Sequence, residues 1–207
     1  MNLFDMDNPV LVFLGRVADL MILNMLTLVL CLPVVTAGAA LTGMHYVALK
    51  IYRDEDCWII RSFFHSFKGN FRQATVIWGI FLAAGAAAAY CLMLVISGEG
   101  PLRLAAVLCA GMCLAVLFMI GTTAFTLLAR FDNTVKGTLY NAAVLTFTLL
   151  PRSIAVLLLH AAPVLAAMYV PALLPVAVLF FLSVPALGTA WLYDPAIRRL
   201  EDQARSA

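Results

Sequence analysis

Three histidines, five cysteines and one acidic triplet are the residues of this chain best suited to metal binding, thiol chemistry or acid–base work. Their spacing serves none of these. Cys31, Cys57, Cys91, Cys109 and Cys113 contain no Cys-x-x-Cys pair. Four of them stand in uncharged runs, where a thiol acts as a small hydrophobe, and Cys109 and Cys113, one helical turn apart, read as packing residues. His45, His65 and His160 are scattered, and there is no His-Glu-x-x-His, no Gly-x-Ser-x-Gly and no phosphate-binding glycine loop. Asp54, Glu55 and Asp56 read as a solvated helix end. The chain is therefore expected to be no enzyme and to use no cofactor or metal.

The remaining polar side chains suggest binding rather than catalysis. In "SFFHSFKGNFRQAT", Ser62 to Thr75, the cationic series Arg61, His65, Lys68, Arg72 follows helical spacing. So does an apolar series, Ile60, Phe63, Phe67, Phe71, Ala74. A helix with these two faces suits a membrane interface, phenylalanines toward acyl chains and cations toward anionic headgroups or a cytosolic partner, and Lys136 extends the set. Arg16, Asp19, Asn24 and His45 fall within apolar stretches and form an expected intramembrane polar cluster, in which Arg16 and Asp19 can pair at i, i+3. Gly79, Ala83 and Ala87, with Gly111 and Ala115, are expected to form small faces for close helix packing.

The elements that position these residues follow from composition. Of 207 residues, 64% are hydrophobic and 12% charged, and the mean hydropathy is +1.01. Soluble domains are about half apolar and a quarter charged. A net charge of +2 gives no basis for nucleic-acid binding. The fold expected is all-α: one domain over residues 1–207, a polytopic helical bundle in the bilayer. Bilayer crossings need about 20 apolar residues each, which places spans at about 9–32, 36–53, 74–96, 102–129, 152–170 and 172–193. Amphipathic elbow helices lie at about 58–73 and 132–150. The first two spans form a hairpin, because Pro33 ends one helix and the Thr36 hydroxyl can cap the next; a single kinked helix, giving five crossings, is the alternative. Pro171 and Pro175 mark the last turn.

Cations orient the bundle. Lys50, Arg53, Arg61, Lys68 and Arg72 precede the third span, Arg130, Lys136 and Arg152 separate the fourth from the fifth, and Arg198, Arg199 and Arg205 lie in the tail. The segment Ser97–Arg103 carries one Arg and one Glu. By the positive-inside rule the rich segments are cytoplasmic, so Asn2 and Ala207 are expected inside and Gly98 outside. The acidic start, "MNLFDMDNPV", is unlike a secretory signal. A weaker echo of the elbow, "TVKGTLYNA" at Thr134–Ala142 against "SFKGNFRQA" at Ser66–Ala74, suggests that an elbow-and-span unit occurs twice, with Asp132 or Asn133 capping the second copy.

The stretch from Asn8 to Asp56, then "FFHSFKGNFRQATVIW" and "ARFDNTVKG", resembles the YesL family of bacterial membrane proteins, a domain of unknown function. The resemblance implies a bacterial plasma-membrane protein whose genes neighbour those of carbohydrate ABC importers and glycoside hydrolases. It leads us to expect a non-enzymatic accessory or assembly subunit of such an importer, in contact with anionic lipids and the importer's permease subunits. The alternative is an independent small-solute transporter or channel, for which Thr122, Thr123 and Thr126 are the polar residues available in the third and fourth spans.

Overall fold

Uncharged runs interrupted by proline and charge give helices separated by short breaks. The computed structural model describes residues 9–55, 58–96, 102–170, 172 and 174–206. These residues form α1 (Pro9–Cys31), α2 (Ala37–Tyr52), α3 (Ile59–Ile96), α4 (Leu102–Leu128), α5 (Val135–Thr148), α6 (Leu150–Tyr169), α7 (Leu174–Phe180) and α8 (Ser183–Ser206), with a 3-10 turn at Val34–Thr36. No strand occurs among them, and the molecule is an all-α bundle. Among the described residues, five segments are long and apolar enough to cross a bilayer: Val10–Cys31, Val34–Tyr52, Ile59–Leu94, Arg103–Leu128 and Leu150–Tyr169. Asn2, Gly98 and Ala207, on which the orientation was framed, lie outside the described residues, as do Asp56, Cys57 and Pro171.

The bundle is organised around α2. Its small residues let neighbouring backbones approach closely: a Cβ on Gly38 would stand 2.5 Å from the Ala74 carbonyl oxygen and 2.6 Å from Trp78 Cβ, and one on Gly43 would press on Phe63. One buried cluster joins Met44, Val47 and Leu49 of α2 to Leu23 of α1, Phe63 of α3 and Ala190, Tyr193 and Ile197 of α8. A second joins Ala39 to Ala74 and Ile77 of α3, Phe125 and Leu128 of α4 and Ala142 of α5. The two members of the sequence echo, Ala74 and Ala142, thus meet in one cluster.

A turn does separate α1 from α2, but Thr36 works differently from the cap expected of it. Its hydroxyl caps no N–H; it donates to the carbonyls of Leu30 (2.5 Å) and Pro33 (2.9 Å), tying the turn to the end of α1. The turn seats on α3, where Trp78 Nε1 donates to the Val34 carbonyl at 2.8 Å.

The expected boundary between elbow and third span is no boundary. α3 runs unbroken for 38 residues, about 57 Å at 1.5 Å per residue, because the change at residue 74 is one of composition and no proline interrupts it. Its buried face is also turned from the apolar series. Ile59, Phe63, Ser66, Ala74 and Ile77 are buried, whereas Ile60 and Phe71 are exposed. The packed face is thus rotated about 60° from the phenylalanine stripe at 100° per residue, and Phe63 and Ala74 face protein rather than acyl chains.

The second elbow is a separate helix. Thr134, rather than Asp132 or Asn133, is the N-cap of α5, accepting from the Gly137 N–H at 3.2 Å. Leu149 (φ −108°, ψ 39°) separates α5 from α6, where Pro151 stands in the first turn. The last apolar run, expected as one crossing over 172–193, is divided into α7 and α8 by residues 181–182. Pro185 has no N–H to bond the Phe181 carbonyl, so a continuous helix through this point is disfavoured.

Candidate functional site

The divided run exposes backbone groups that lipid cannot satisfy. Asn24, fully buried in α1, satisfies them. Its Oδ1 accepts from the N–H groups of Leu182 (2.8 Å) and Ser183 (3.3 Å), and its Nδ2 donates to the Val178 carbonyl at 2.8 Å. Asn24 therefore holds the break together, and the expected cluster of Arg16, Asp19, Asn24 and His45 does not assemble. Arg16 pairs with Asp54 at 2.9 Å instead of Asp19, Asp19 borders a surface groove with Trp58 and Arg61, and His45 faces an apolar cavity between helices.

A network of ion pairs gathers at the C-terminal end of α2. The chain leaves that helix through Asp54, whose positive φ of 57° is tolerated by aspartate better than by most side chains. The Glu55 N–H reaches the Lys50 carbonyl at 3.0 Å and the Asp54 N–H the Ile51 carbonyl at 3.2 Å, a Schellman-type stop. This stop turns Arg53 inward and Glu55 across the bundle end. Arg53 Nε donates to Asp194 Oδ1 at 2.5 Å and its Nη1 to Glu201 Oε2 at 3.1 Å. Arg198 Nε reaches Asp194 Oδ2 at 2.7 Å. Arg130 Nη2 reaches Glu55 Oε1 at 2.9 Å, while its Nε lies 3.3 Å from Glu201 Oε1 without hydrogen-bond alignment.

Residues from the α2–α3 connection, the end of α4 and α8 are thereby locked in one network. The Arg53 and Asp194 side chains are only 8% and 6% exposed. Burial opposes the charged guanidinium, but hydrogen bonds and charges from Asp194 and Glu201 outweigh it and raise the Arg53 pKa above the ordinary arginine value. Glu55 is thus a member of this lock rather than part of a solvated end. The sequence offered no local signal for it, because the partners of Arg53 stand 141 and 148 positions away.

The predicted cations do reach the surface. Arg61, His65, Lys68, Arg72 and Lys136 are exposed, and Lys50, Arg61, His65 and Lys68 border one shallow groove of about 530 Å³ with Tyr46 and Trp58. Lys50 Nζ stands 5.6 Å from the Tyr46 ring centroid, a cation–π contact. Among the described residues none of these side chains forms an ion pair. The groove can hold an anion such as a phosphate. Arg72 and Lys136 lie outside it.

The same face of α3 continues past the cations. Arg61, His65, Lys68, Arg72, Val76, Gly79, Ala83, Ala86 and Tyr90 are all exposed and fall within about 40° of one direction at 100° per residue. Gly79 and Gly111 have open space where a Cβ would stand, and Ala83 and Ala87 are exposed while Ala115 is half-buried. These small residues therefore do not mediate the close packing expected of them within the chain; Gly38, Gly43 and Gly188 do.

Hydroxyls in α4 are spent locally. Thr122, Thr123 and Thr126 each donate to the carbonyl four residues earlier. Thr123 Oγ1 also lies 3.1 Å from Tyr193 Oη, which lies 2.8 Å from Ser153 Oγ, and Thr146 donates to Thr123 at 3.0 Å. This knot joins α4, α5, α6 and α8. Among the described residues, no group of three or more His, Cys, Asp or Glu could hold a metal ion.

Residues 20–91 match the model of a family described as a protein of unknown function, DUF624. That stretch carries Asn24, His45, Arg53, Glu55 and the groove cations, whereas Asp194, Glu201 and Lys136 fall beyond it. No curated protein and no solved structure matches the chain.

Proposed function

We propose that the chain is a multi-pass plasma-membrane protein, both termini cytoplasmic, that acts without chemistry of its own as an accessory or assembly subunit of a carbohydrate ABC importer. The observation that carries this reading is the exposed face of α3, basic from Arg61 to Arg72 and small or apolar from Val76 to Tyr90. One uninterrupted helix spans both parts. The small part suits a permease helix, because glycine and alanine let membrane helices approach within van der Waals contact. Its basic part, with Lys136 on α5, suits anionic headgroups or an acidic cytosolic surface, at about 1 kcal/mol per cation near an anionic leaflet. The ion lock ties the ends of α2 and α4 to α8 beside that face.

The carbohydrate assignment draws on the resemblance to the YesL family and its genomic company. Deleting the gene is expected to lower uptake of one oligosaccharide while growth on glucose is unaffected. Normal uptake of every oligosaccharide tested would overturn the assignment and favour an independent transporter of another solute.

A further inference from the structure

An apolar cavity of about 410 Å³ lies between α2, α3, α4 and α6, closed on one side by Leu182 at the α7–α8 break. This is within the usual range for small-ligand sites, about 300–1,000 Å³. Its walls include Met44, Trp78, Phe81 and Phe125, and two of its lining residues, Leu82 and Phe118, are 41% and 42% exposed. An opening between two exposed apolar side chains on membrane-crossing helices communicates with lipid. A sugar or ion placed here would lose its hydration without replacement partners.

Two imidazoles and the Thr122 hydroxyl break the apolar lining, and the hydroxyl donates its proton to the Phe118 carbonyl at 2.9 Å. His45 is 3% exposed, lines the cavity, and forms no hydrogen bond with any described residue. Buried polar groups are almost always hydrogen-bonded, so the free imidazole calls for a partner inside the cavity. His160 Nδ1 lies 2.9 Å from the Val156 carbonyl oxygen. Because a carbonyl only accepts, a neutral His160 carries its proton on Nδ1 and presents Nε2 as an acceptor. The ring packs edge-on against Phe118, with centroids 5.3 Å apart. The cavity thus offers a donor at His45 and an acceptor at His160 in apolar surroundings. A hydroxyl, which both accepts and donates, satisfies the pair; a carboxylate or ammonium would place an unpaired charge there.

We propose that this cavity binds an uncharged, single-chain alcohol drawn laterally from the bilayer, its chain against Trp78, Phe81 and Phe125 and its hydroxyl between His45 and His160. The inference is independent of the importer reading.

Trp78 is a built-in reporter, and the exposed Trp58 and Trp191 can be changed to Phe to isolate its fluorescence. The full-length protein in phosphatidylcholine nanodiscs is titrated with 12-bromododecan-1-ol and, separately, with 1-bromododecane, bromine being a contact quencher. Saturable quenching by the alcohol is expected. His45→Leu should raise its half-saturation about fivefold, the worth of one hydrogen bond, and leave the response to the alkane unchanged. His45→Gln, which keeps a donor, should restore most of the affinity. Gly121→Leu should abolish saturation by filling the cavity, since a Cβ there meets only Phe81 at an ordinary 3.7 Å; unchanged thermal melting would show that it folds. Quenching that rises linearly with both probes and ignores Gly121→Leu would mean mere partitioning and overturn the site. Saturation equal for alkane and alcohol and untouched in both His45 variants would overturn the hydroxyl recognition.

Discussion

Replacing Arg53 by Leu removes the cation shared by the buried Asp194 and the half-buried Glu201. Asp194 would keep Arg198, whose side chain is 57% exposed, and Glu201 would keep Arg130 at 3.3 Å. Removing one partner of a buried ion pair costs about 3–5 kcal/mol, and these residual partners place Arg53→Leu near 3 kcal/mol, the lower end of that range. A chain of this size loses about 2–4 °C of Tm per kcal/mol, so a drop of about 6–12 °C is expected. Asp194→Leu strands Arg53 in the same way and should cost a similar amount. The double variant removes both charges and leaves Glu201 paired, so its loss should fall short of the sum of the singles by about 2 kcal/mol or more. Thermal unfolding of the four proteins in mild detergent, followed by far-UV circular dichroism, measures this cycle. With the pair this deeply buried, 0.5 M salt should change the coupling little. Additive losses, or an Arg53→Leu protein melting within 2 °C of the parent, would refute the reasoning that the network is a lock.

Three further outcomes follow from the packing. Asn24→Leu should lower Tm by about 5–10 °C in the same assay, because it leaves buried N–H and C=O groups at the α7–α8 break unpaired; an unchanged melt would show that the break is held otherwise. Gly38→Ala should destabilise the protein clearly, its Cβ meeting the Ala74 backbone, while Gly79→Ala and Gly111→Ala should leave the melt unaltered because both positions are open; equal effects would contradict the assigned helix contacts. Ser66→Glu should damage the fold at least as much as Phe67→Glu, since Ser66 is 4% exposed on the packed face of α3. A tolerated Ser66→Glu would contradict that face.

What the sequence revealed and what it hid divide along a physical line. Long uncharged runs, the hairpin at Pro33 and the exposed cations were legible because each rests on local composition or helical periodicity. The continuity of α3 was hidden by a change from amphipathic to uniformly apolar character, which resembles a boundary although no residue breaks the helix. Ser66 was missed as a buried member of the packed face because it is polar, and the brighter phenylalanine series drew the face aside. Asn24 was legible as a buried amide but its task was not, since that depends on a helix break 154 to 159 positions away. The lock around Arg53 was invisible for the same reason: no pattern in sequence links Arg53, Arg130, Asp194 and Glu201.

The central claim is that the unpartnered face of α3 docks an importer's membrane subunits, and affinity purification in mild detergent tests it most directly. The tagged full-length chain, expressed at native level, should recover a carbohydrate permease identified by mass spectrometry. Gly79→Leu/Ala83→Leu, which alters only exposed positions of that face, should lose the permease while melting like the parent. Absence of any permease from the parent eluate, or equal recovery with the double variant, would contradict the account.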